Sequence, residues 1–482
     1  MRRISIKAYE KYISKADIEK IHAHTLTILK KVGVKFEHEE ALSVFKAHGA
    51  RIERDKVYIE EKMLEEALKT VPKKFTIYSS KGDVHIGGHS YVKLPVSGSA
   101  YLQDGSRIRP FTNKDILDWV KLSDTSPVLD CVMTNPCFTS KKFTQNETEL
   151  GFLALLLKYA NKPVPFANPN TATAAKGRLR EAYRRGIRLV QDYEGIYDKV
   201  VGSHGFNPIT PLCYDHDPLE RMFAVCEERQ GVWFATCAMP VLTAPFSVIS
   251  LLTVANAELL VGIVLSQLIQ PGTPIIYANV SGSTDLRSVQ LCMGNPEAAL
   301  IFYATAGIAD YYGIPFRTGD AFSDAKELDY QAGMEAMLSI RTTSEVKPDM
   351  VFHALGTMGT YNVTCFEKFI LDEEIYNFTE RLNSGIDASE EKFCMDIVEK
   401  TGPRGKFLTG RTPKMFREEF YVTKYLNKLD PNEWQNHGSL SLKEKMQGEV
   451  KKRIDSFKPA PVTKEQEKLL NQYIPIEYRN GL

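Results

Sequence analysis

Polar side chains follow a predicted buried strand in the third quarter of the chain. The apolar stretch IPFRTG (314–319) is typical of a strand, and Asp320 and the loop AFSDAK (321–326) come directly after it. A second predicted strand, MVFHAL (350–355), carries His353 near its end. Active sites lie beyond the carboxyl ends of parallel strands that are connected by helices. Asp320 and His353 are therefore predicted to be catalytic.

Five further residues near strand ends are predicted to bind a substrate. Two come from other predicted strands, and three belong to the strand and loop that surround Asp320. Aromatic faces can hold a cation, and charged groups can pair with an opposite charge on a ligand. The candidate substrate-binding residues are Phe322, Arg317, Asp324, Tyr277 and His204.

The charged candidates also have purely structural interpretations. Arg317 could bind a substrate carboxylate or pair with Asp320 or Asp324, and the internal pair is favoured here. The two carboxylates could balance a cationic ligand or orient Lys326. The sequence alone leaves both interpretations open.

The aromatic and imidazole candidates have a structural alternative as well. A lone histidine is more often a satisfied core residue than a ligand, although a strand-end position favours function for His353 and, less strongly, for His204. Tyr277 is typical of a core position, and Phe322 of either a core or a site wall.

Metal and nucleotide sites have little support in the sequence. Asp215, His216 and Asp217 contain suitable ligand atoms, but adjacent residues rarely point at one ion, so no metal is predicted. Neither a GxGxxG motif after the first strand nor a P-loop is present.

Strands alternate with long helices after residue 111, which predicts parallel strands and right-handed crossovers. Seven strands can be identified, and an eighth cannot. This number over about 260 residues is typical of a (β/α)8 TIM barrel, and a doubly wound sheet is the alternative. The predicted strands are residues 128–135, 163–168, 199–204, 232–237, 274–279, 314–319 and 350–355.

The regions outside this alternation predict two additions to the α/β core. Residues 1–110 combine amphipathic helices with short antiparallel strands, and we interpret them as an N-terminal cap. Residues 111–400 form the predicted barrel domain, and residues 401–482 a helical C-terminal extension that could clasp another subunit. A homo-oligomer is therefore expected.

Composition limits the function classes. With 61 basic and 60 acidic residues among 482, the chain has no nucleic-acid footprint. Its eight cysteines lack CxxC spacing, which indicates reduced thiols and a cytoplasmic protein. The N-terminus is not typical of a signal peptide, and prolines interrupt the uncharged stretch 230–257, so neither export nor a membrane span is expected.

Several motifs in the same order resemble the trimethylamine methyltransferase superfamily. They cover nearly the whole chain, and none is decisive alone. They are ILKKVGVKF, AYLQDG with FTNKD, AELL with QLIQPGTPIIY, GIADYYGIPFRTG, SDAKELDYQAG, FEKFILDEEI, GPRGKFL and NEWQNHGSLSLKEK.

The resemblance implies a (β/α)8 barrel that transfers a methyl group from a methylated amine to the cobalt of a separate corrinoid protein. Founding members carry pyrrolysine near the segment that aligns with 321–326, where Phe322 is the nearest residue here. Lacking pyrrolysine, the chain resembles the glycine betaine branch, which implies a quaternary amine such as glycine betaine, proline betaine or carnitine. The chain has no DxHxxG motif, so the cobalamin is expected to arrive on its partner.

Two other functions are compatible with the same residues. A barrel lyase or hydrolase could use Lys326 or His353 as its base, and a family member could bind betaines without catalysis. Residues 353–363 (HALGTMGTYNV) depart from the family's blander pattern, which we interpret as altered substrate fit.

Overall fold

The computed structural model describes residues 7–133, 140–170, 177–408 and 410–481, and it has a mixed α/β fold. The predicted strand 128–135 lies partly outside the described residues. The N-terminal region contains α1 (Lys15–Thr27), β1 (Val34–Phe36), α2 (Glu39–Ala47), β2 (Arg51–Glu53), β3 (Lys56–Tyr58), α3 (Glu61–Thr70), β4 (Phe75–Ile77) and β5 (Val84–Ile86).

The central region follows with alternating strands and long helices. Its elements are β6 (Val92–Lys93), β7 (Tyr101–Asp104), β8 (Arg107–Pro110), α4 (Asn113–Asp124), α5 (Gln145–Tyr159), α6 (Leu179–Glu194), β9 (Ser203–Phe206), β10 (Cys213–Tyr214), α7 (His216–Glu227), β11 (Gly231–Thr236), α8 (Val248–Ile269), β12 (Ile275–Asn279), β13 (Ser283–Asp285), β14 (Gln290–Cys292), α9 (Pro296–Tyr312), β15 (Phe316–Gly319), α10 (Tyr330–Val346), β16 (Met350–Phe352), β17 (Thr357–Met358), β18 (Val363–Cys365) and α11 (Phe366–Asn383).

The C-terminal region is helical. It contains α12 (Met395–Thr401), α13 (Lys414–Glu419), α14 (Pro431–Asn436), α15 (Leu442–Asp455) and α16 (Lys464–Leu470). Ion pairs fix this region to the core: Arg453 of α15 donates to Glu373 of α11 at 2.6 Å in a buried pair, and Lys158 of α5 donates to the half-exposed Glu467 of α16 at 2.8 Å.

The main sheet has six parallel strands within the described residues, in the order β6-β16-β15-β12-β11-β9. The stretch YVKLPV (91–96), which contains β6, is predicted as one of the short antiparallel strands of the cap, because a strand of two residues carries no sign of its pairing partner. Val92 and Lys93 fall in the predicted cap, yet they pair with β16. The predicted cap therefore contributes a strand to the main sheet, and the boundary at residue 110 stays a prediction.

Two predicted strands differ from the observed elements. Residues 163–168 form no regular strand, and β9 starts at Ser203 rather than at residue 199. Extended backbone nevertheless continues beyond both edges of the sheet. The Ser203 amide donates to Pro165 O at 2.8 Å, and the Asp130 amide donates to Lys93 O at 2.9 Å.

Residues at both ends of α9 are typical helix caps. Asn295 is the extended N-cap residue, Pro296 occupies the first helical position, and Gly313 ends the helix in the left-handed region with φ of 65°. α8 has the length and apolar composition of a membrane-spanning helix, but 72% of its most apolar stretch is buried inside the protein. This burial is typical of a core helix. It explains why α8 carries apolar side chains around its whole circumference.

Candidate active site

Alternation along β15 sorts the predicted residues onto two faces of the sheet. Successive side chains of a strand point to opposite faces. Arg317 contacts the rings of Trp233 and Phe352, whereas Asp320 hydrogen-bonds to Tyr376 of the helix layer. Arg317 and Asp320 therefore belong to different faces, and only Arg317 lies on the face away from the helices.

The Arg317 guanidinium is buried without an opposite charge among the described residues. Its carbon atom lies 4.4 Å from the ring centroid of Trp233 and 4.0 Å from that of Phe352. The side chain is only 3% exposed, and Nε and Nη1 have no hydrogen-bond partner in the described parts of the chain. Burial lowers the pKa of Arg317 to about 9. The favoured internal pair with Asp320 or Asp324 is therefore wrong.

Small residues accommodate the larger side chains on this face of the sheet. The Trp233 ring lies against Gly205 of the neighbouring strand, where an added Cβ would be 2.0 Å from Cζ2 of the indole. Ala235 and Ala278, which pair across β11 and β12, form a small cluster with Val280 beside Trp233. The face thus combines one fixed cation with aromatic and short aliphatic walls.

Phe322, His353 and Tyr361 form an aromatic cluster beyond the ends of β15 and β16. The Phe322 ring centroid lies 4.9 Å from that of Tyr361 and 5.7 Å from that of His353. Phe322 folds back over Gly319, where an added Cβ would lie 2.0 Å from its Cζ. The structure thus brings together Phe322 and His353, two of the predicted residues.

His353 is held in a strained and neutral state. Its backbone adopts a left-handed φ of 57°, which costs about 1–2 kcal/mol for a side chain of this kind. Its Nδ1 accepts the Ser97 amide at 3.2 Å, which places the ring proton on Nε2. Burial, with a smaller effect of the Arg317 charge, lowers the pKa of His353 to about 3. The imidazole is consequently neutral near pH 7.

Cys237 follows β11 and is exposed to solvent, although protein surrounds its thiol on nearly every side. This combination is typical of the wall of a recess. Enclosure raises the pKa of Cys237 to about 11, and the Arg317 charge opposes the rise. The thiol is therefore neutral near pH 7 and lies within electrostatic range of the guanidinium.

Three predicted site residues point into the helix layer instead. Asp320 is fully buried beside Tyr376, and burial raises its pKa to about 7. The Tyr277 hydroxyl donates to Asn256 of α8 at 3.0 Å. His204 packs against Tyr183 of α6, and burial lowers its pKa to about 3. Strand alternation places all three away from Arg317.

Asp324 has a structural role in the loop after β15. Its carboxylate accepts the backbone amides of Met293 and Gly294 at 3.0 and 2.9 Å and the hydroxyl of Thr360. These bonds connect the loops that follow β14, β15 and β17. Asp324 therefore supports the site wall without facing a ligand.

One group of possible metal ligands lies where the N-terminal region meets α7: ligand atoms of His38, His216 and Glu220 come within 4.8 Å of one another. His38 Nδ1 accepts the Ala41 amide, so its proton is on Nε2, which lies 2.8 Å from Glu220 Oε1. A metal needs an unprotonated nitrogen, and Glu220 already lies 3.5 Å from Arg180. The proton on Nε2 and the contacts of Glu220 therefore oppose metal binding in this arrangement.

Three residues near this site were not predicted from the sequence: Trp233, Tyr361 and Cys237. Trp233 and Cys237 lie in or next to the predicted strand 232–237, and Tyr361 lies in the atypical stretch 353–363. The available signal was strand parity: Trp233 stands two positions before Ala235, on the same face, and four before Cys237. Tyr361 had a weaker signal in the unusual composition around it.

Comparison with known proteins gives a consistent result over the whole chain. The sequence model of the trimethylamine methyltransferase (MTTB) family matches residues 3–480. The proline betaine:corrinoid methyltransferase of Eubacterium limosum is 37% identical over 480 residues, covering 98% of this chain and 99% of that protein. The L-carnitine:corrinoid methyltransferase of the same organism is 36% identical over 476 residues, covering 97% and 98%.

A solved structure shares the fold. The crystal structure of the hydroxylamine MtmB complex superposes with a TM-score of 0.50 and 10% sequence identity, covering 94% of this chain and 90% of that chain. At this identity the likeness concerns the fold alone.

Proposed function

Because this chain belongs to the trimethylamine methyltransferase family, we propose that it transfers a methyl group from a quaternary amine to the corrinoid of a separate protein. The relatives named for proline betaine and carnitine support this substrate class. Which quaternary amine is used stays open at this point.

The observation that carries the proposal is the electrostatic character of the face around Arg317. Among the described residues it holds one unpaired cation, while the imidazole of His353 and the thiol of Cys237 are neutral near pH 7, with pKa values of about 3 and 11. General acid–base catalysis is most effective when the catalytic pKa lies near the working pH. Neither group meets this condition, which disfavours a lyase or hydrolase. Lys326, the other candidate base, is exposed, and its Nζ donates a hydrogen bond to the carbonyl oxygen of Asp324.

Methyl transfer from a quaternary amine does not need a proton donor. The electron pair of Co(I) forms the new C–Co bond, and the pair of the C–N bond leaves on a neutral tertiary amine. The protein then has to hold the methyl group in line with the cobalt, and positioning of this kind contributes strongly to rate. Phe322, Tyr361 and His353 would provide rigid walls for that purpose.

We propose that the main sheet closes into a (β/α)8 barrel. The hydrogen bonds beyond β6 and β9 support closure, because Val132 N also donates to Pro163 O at 3.0 Å and so joins the two extensions. In chain order the eight segments would be β6, residues 130–132, residues 163–165, β9, β11, β12, β15 and β16. One helix from α4 to α11 follows each of them.

The corrinoid protein has to reach the carboxyl ends of these strands, and we propose that it docks on two apolar loops there. Phe246, in the loop after β11, is 85% exposed, and Leu286 and Val289 form the exposed tip of the β13–β14 hairpin. Thr284 of the hairpin donates to Pro240 O at 2.9 Å, which holds the two loops together beside Cys237.

This docking surface predicts a separable defect. Phe246→Asp should leave methyl transfer to free cob(I)alamin unchanged, and it should raise KM about tenfold or more for a corrinoid protein that accepts methyl groups from the wild-type chain. Tyr197→Asp, at a 58% exposed residue between α6 and β9, is the matched control. Equal KM values for both variants would place the docking surface elsewhere.

We also propose a cytoplasmic homo-oligomer. Free cysteines at the seven described positions support a reducing compartment. Exposed apolar residues along the C-terminal region support contact with another copy; they include Ile386, Phe407, Leu408, Phe420 and Val422.

The experiment that tests the proposed activity is a panel of methylated amines with reduced cobalamin, followed by the absorbance of methylcobalamin. Proline betaine, carnitine or glycine betaine should give product, and trimethylamine should not. Comparable rates on trimethylamine would exclude the quaternary-amine assignment. Absence of product from every amine would exclude the methyltransferase activity.

A further inference from the structure

The guanidinium of Arg317 occupies an unusual environment for a buried charge. The rings of Trp233 and Phe352 flank it, with centroids at 4.4 and 4.0 Å from the guanidinium carbon. No carboxylate among the described residues forms an ion pair with it, although 33 such pairs, most of them at the surface, occur in the described chain. Buried charges in proteins are normally paired or hydrogen-bonded.

We propose that Arg317 is a carboxylate-binding subsite that selects zwitterionic quaternary amines over amines without an acid group. This inference rests on the proposed function and adds the chemical class of the substrate. The betaine or carnitine carboxylate would supply the anion that the protein itself does not place beside Arg317.

The free nitrogen atoms of the guanidinium support a carboxylate ligand. The centroids of the two rings lie 5.1 Å apart with an interplanar angle of 85°, so the rings flank the guanidinium without sandwiching it. Nε and Nη1 both lack a hydrogen-bond partner in the described parts of the chain. These two atoms lie on different edges of the guanidinium, so a carboxylate can accept from either one, and two parallel N–H bonds would involve Nη2 as well.

Free-energy considerations point the same way. A guanidinium taken from water without a partner carries an uncompensated desolvation cost. Methionine or leucine would fill the space between Trp233 and Phe352 without that cost, so the sequence retains a destabilising group at this position. Binding of an anion removes the cost, and an amine without an acid group leaves it in place.

The position of Arg317 along its strand gives the bound substrate a direction. Arg317 lies two residues before Gly319, the end of β15, and the cluster of Phe322 and Tyr361 lies beyond that end. A carboxylate on Arg317 would direct the ammonium away from the guanidinium, because like charges repel. The methyl groups then face the carboxyl ends of the strands, from which the corrinoid must approach.

The first test uses the wild-type protein and needs no substitution. Methyl transfer to free cob(I)alamin is measured with proline betaine and carnitine and with the methyl ester of each. The esters retain the quaternary ammonium and lose the negative charge. We expect kcat/KM for the acids to exceed that for the esters about a hundredfold. Equal values for acid and ester, with product formed from both, would overturn the subsite and leave the proposed function standing.

The second test uses Arg317→Gln and Arg317→Lys. Arg317→Gln should lower kcat/KM for the acids about a hundredfold and leave the esters nearly unchanged, and Arg317→Lys should lie between, because it keeps the charge and loses the planar fork. Arg188→Gln, which removes an exposed arginine on α6, is the matched control. A loss that is equal for acids and esters in both Arg317 variants would contradict the subsite.

The third test measures binding without turnover. N-methylproline, the demethylated acid, should raise the melting temperature of the wild-type protein and not that of Arg317→Gln, while its methyl ester should raise neither. This result would support the subsite even if no amine yields methylcobalamin, which would count against the proposed function alone. An equal rise with acid and ester in the wild-type protein would overturn the subsite.

Discussion

The Tyr376 hydroxyl donates a 2.7 Å hydrogen bond to Oδ2 of Asp320 in the fully buried layer between β15 and α11. The other carboxylate oxygen accepts the Ala321 amide at 2.7 Å. The contact holds the strand end against its helix, so Asp320 positions the loop that carries Phe322 without reaching the face on which Arg317 lies.

Asp320 is expected to make stability depend on pH. Burial raises its pKa from 3.8 to about 7, so between these values the folded state binds more protons than the unfolded state. By linkage, stability falls as pH rises from about 4 to about 7 through this group. Asp320→Asn cannot ionise and should remove that decline, so the stability of the variant should differ less between pH 5 and pH 8 than that of the wild-type protein.

The measurement is a urea melt of both proteins at pH 5 and pH 8. Methyl transfer should persist in Asp320→Asn, because the residue faces the helix layer. A variant that is folded and inactive would instead restore the catalytic role predicted from the sequence.

Phe322→Ala should destabilise the protein as well as slow methyl transfer. Sequence reasoning places Phe322 in a loop, where truncation costs little, but its ring is fully buried beside Phe302 and Tyr361. Removing a buried phenylalanine ring costs about 3–5 kcal/mol. Phe322→Leu, which fills most of the space, should lose about half as much. Thermal melts of the two variants beside Tyr330→Ala, at an exposed residue, check this order.

The sequence predicts the elements and strand ends of the site better than the direction of its side chains. Arg317 and Asp320 are three positions apart, and they look like neighbours at one strand end. A strand changes face at every residue, so an odd separation sends their side chains to opposite sides. Tyr277 and His204 lie on the helix side of their strands for the same reason. Only their contacts with Asn256 and Tyr183 reveal that this side faces the helices.

Partners that are distant in the chain explain the rest. Trp233 reaches Arg317 across the intervening strand β12, and Tyr361 reaches Val280 O with its hydroxyl at 3.0 Å. Neither contact leaves a spacing pattern in the sequence. The place of β6 in the main sheet could not be predicted for a related reason, since it is defined by pairing with β16.

Gly205→Ala tests whether Trp233 holds Arg317 in place. The new Cβ would lie 2.0 Å from the indole Cζ2, a separation that forces the ring to move. The displaced ring would lose its contact with the guanidinium, so KM for a betaine should rise about tenfold while the fold persists. Gly333→Ala, where an added Cβ meets nothing within 4 Å, is the matched control. Unchanged KM in Gly205→Ala would mean that the stacking does not matter for binding.

Alkylation of Cys237 gives an independent view of the same recess. The thiol is accessible, but its pKa of about 11 leaves about one thiolate in three thousand at pH 7.5, and the thiolate is the reactive form. Iodoacetamide should therefore modify Cys237 slowly at that pH, and the rate should rise nearly tenfold per pH unit up to about pH 10. Arg317→Gln should slow the reaction further at each pH, because the guanidinium charge stabilises the thiolate.

Mass spectrometry of the peptide that contains Cys237 measures the rate, with the buried Cys226 as an internal reference for unfolding. Rapid modification at pH 7.5 would show that the thiol is not enclosed, and an unchanged rate in Arg317→Gln would separate Cys237 from the guanidinium.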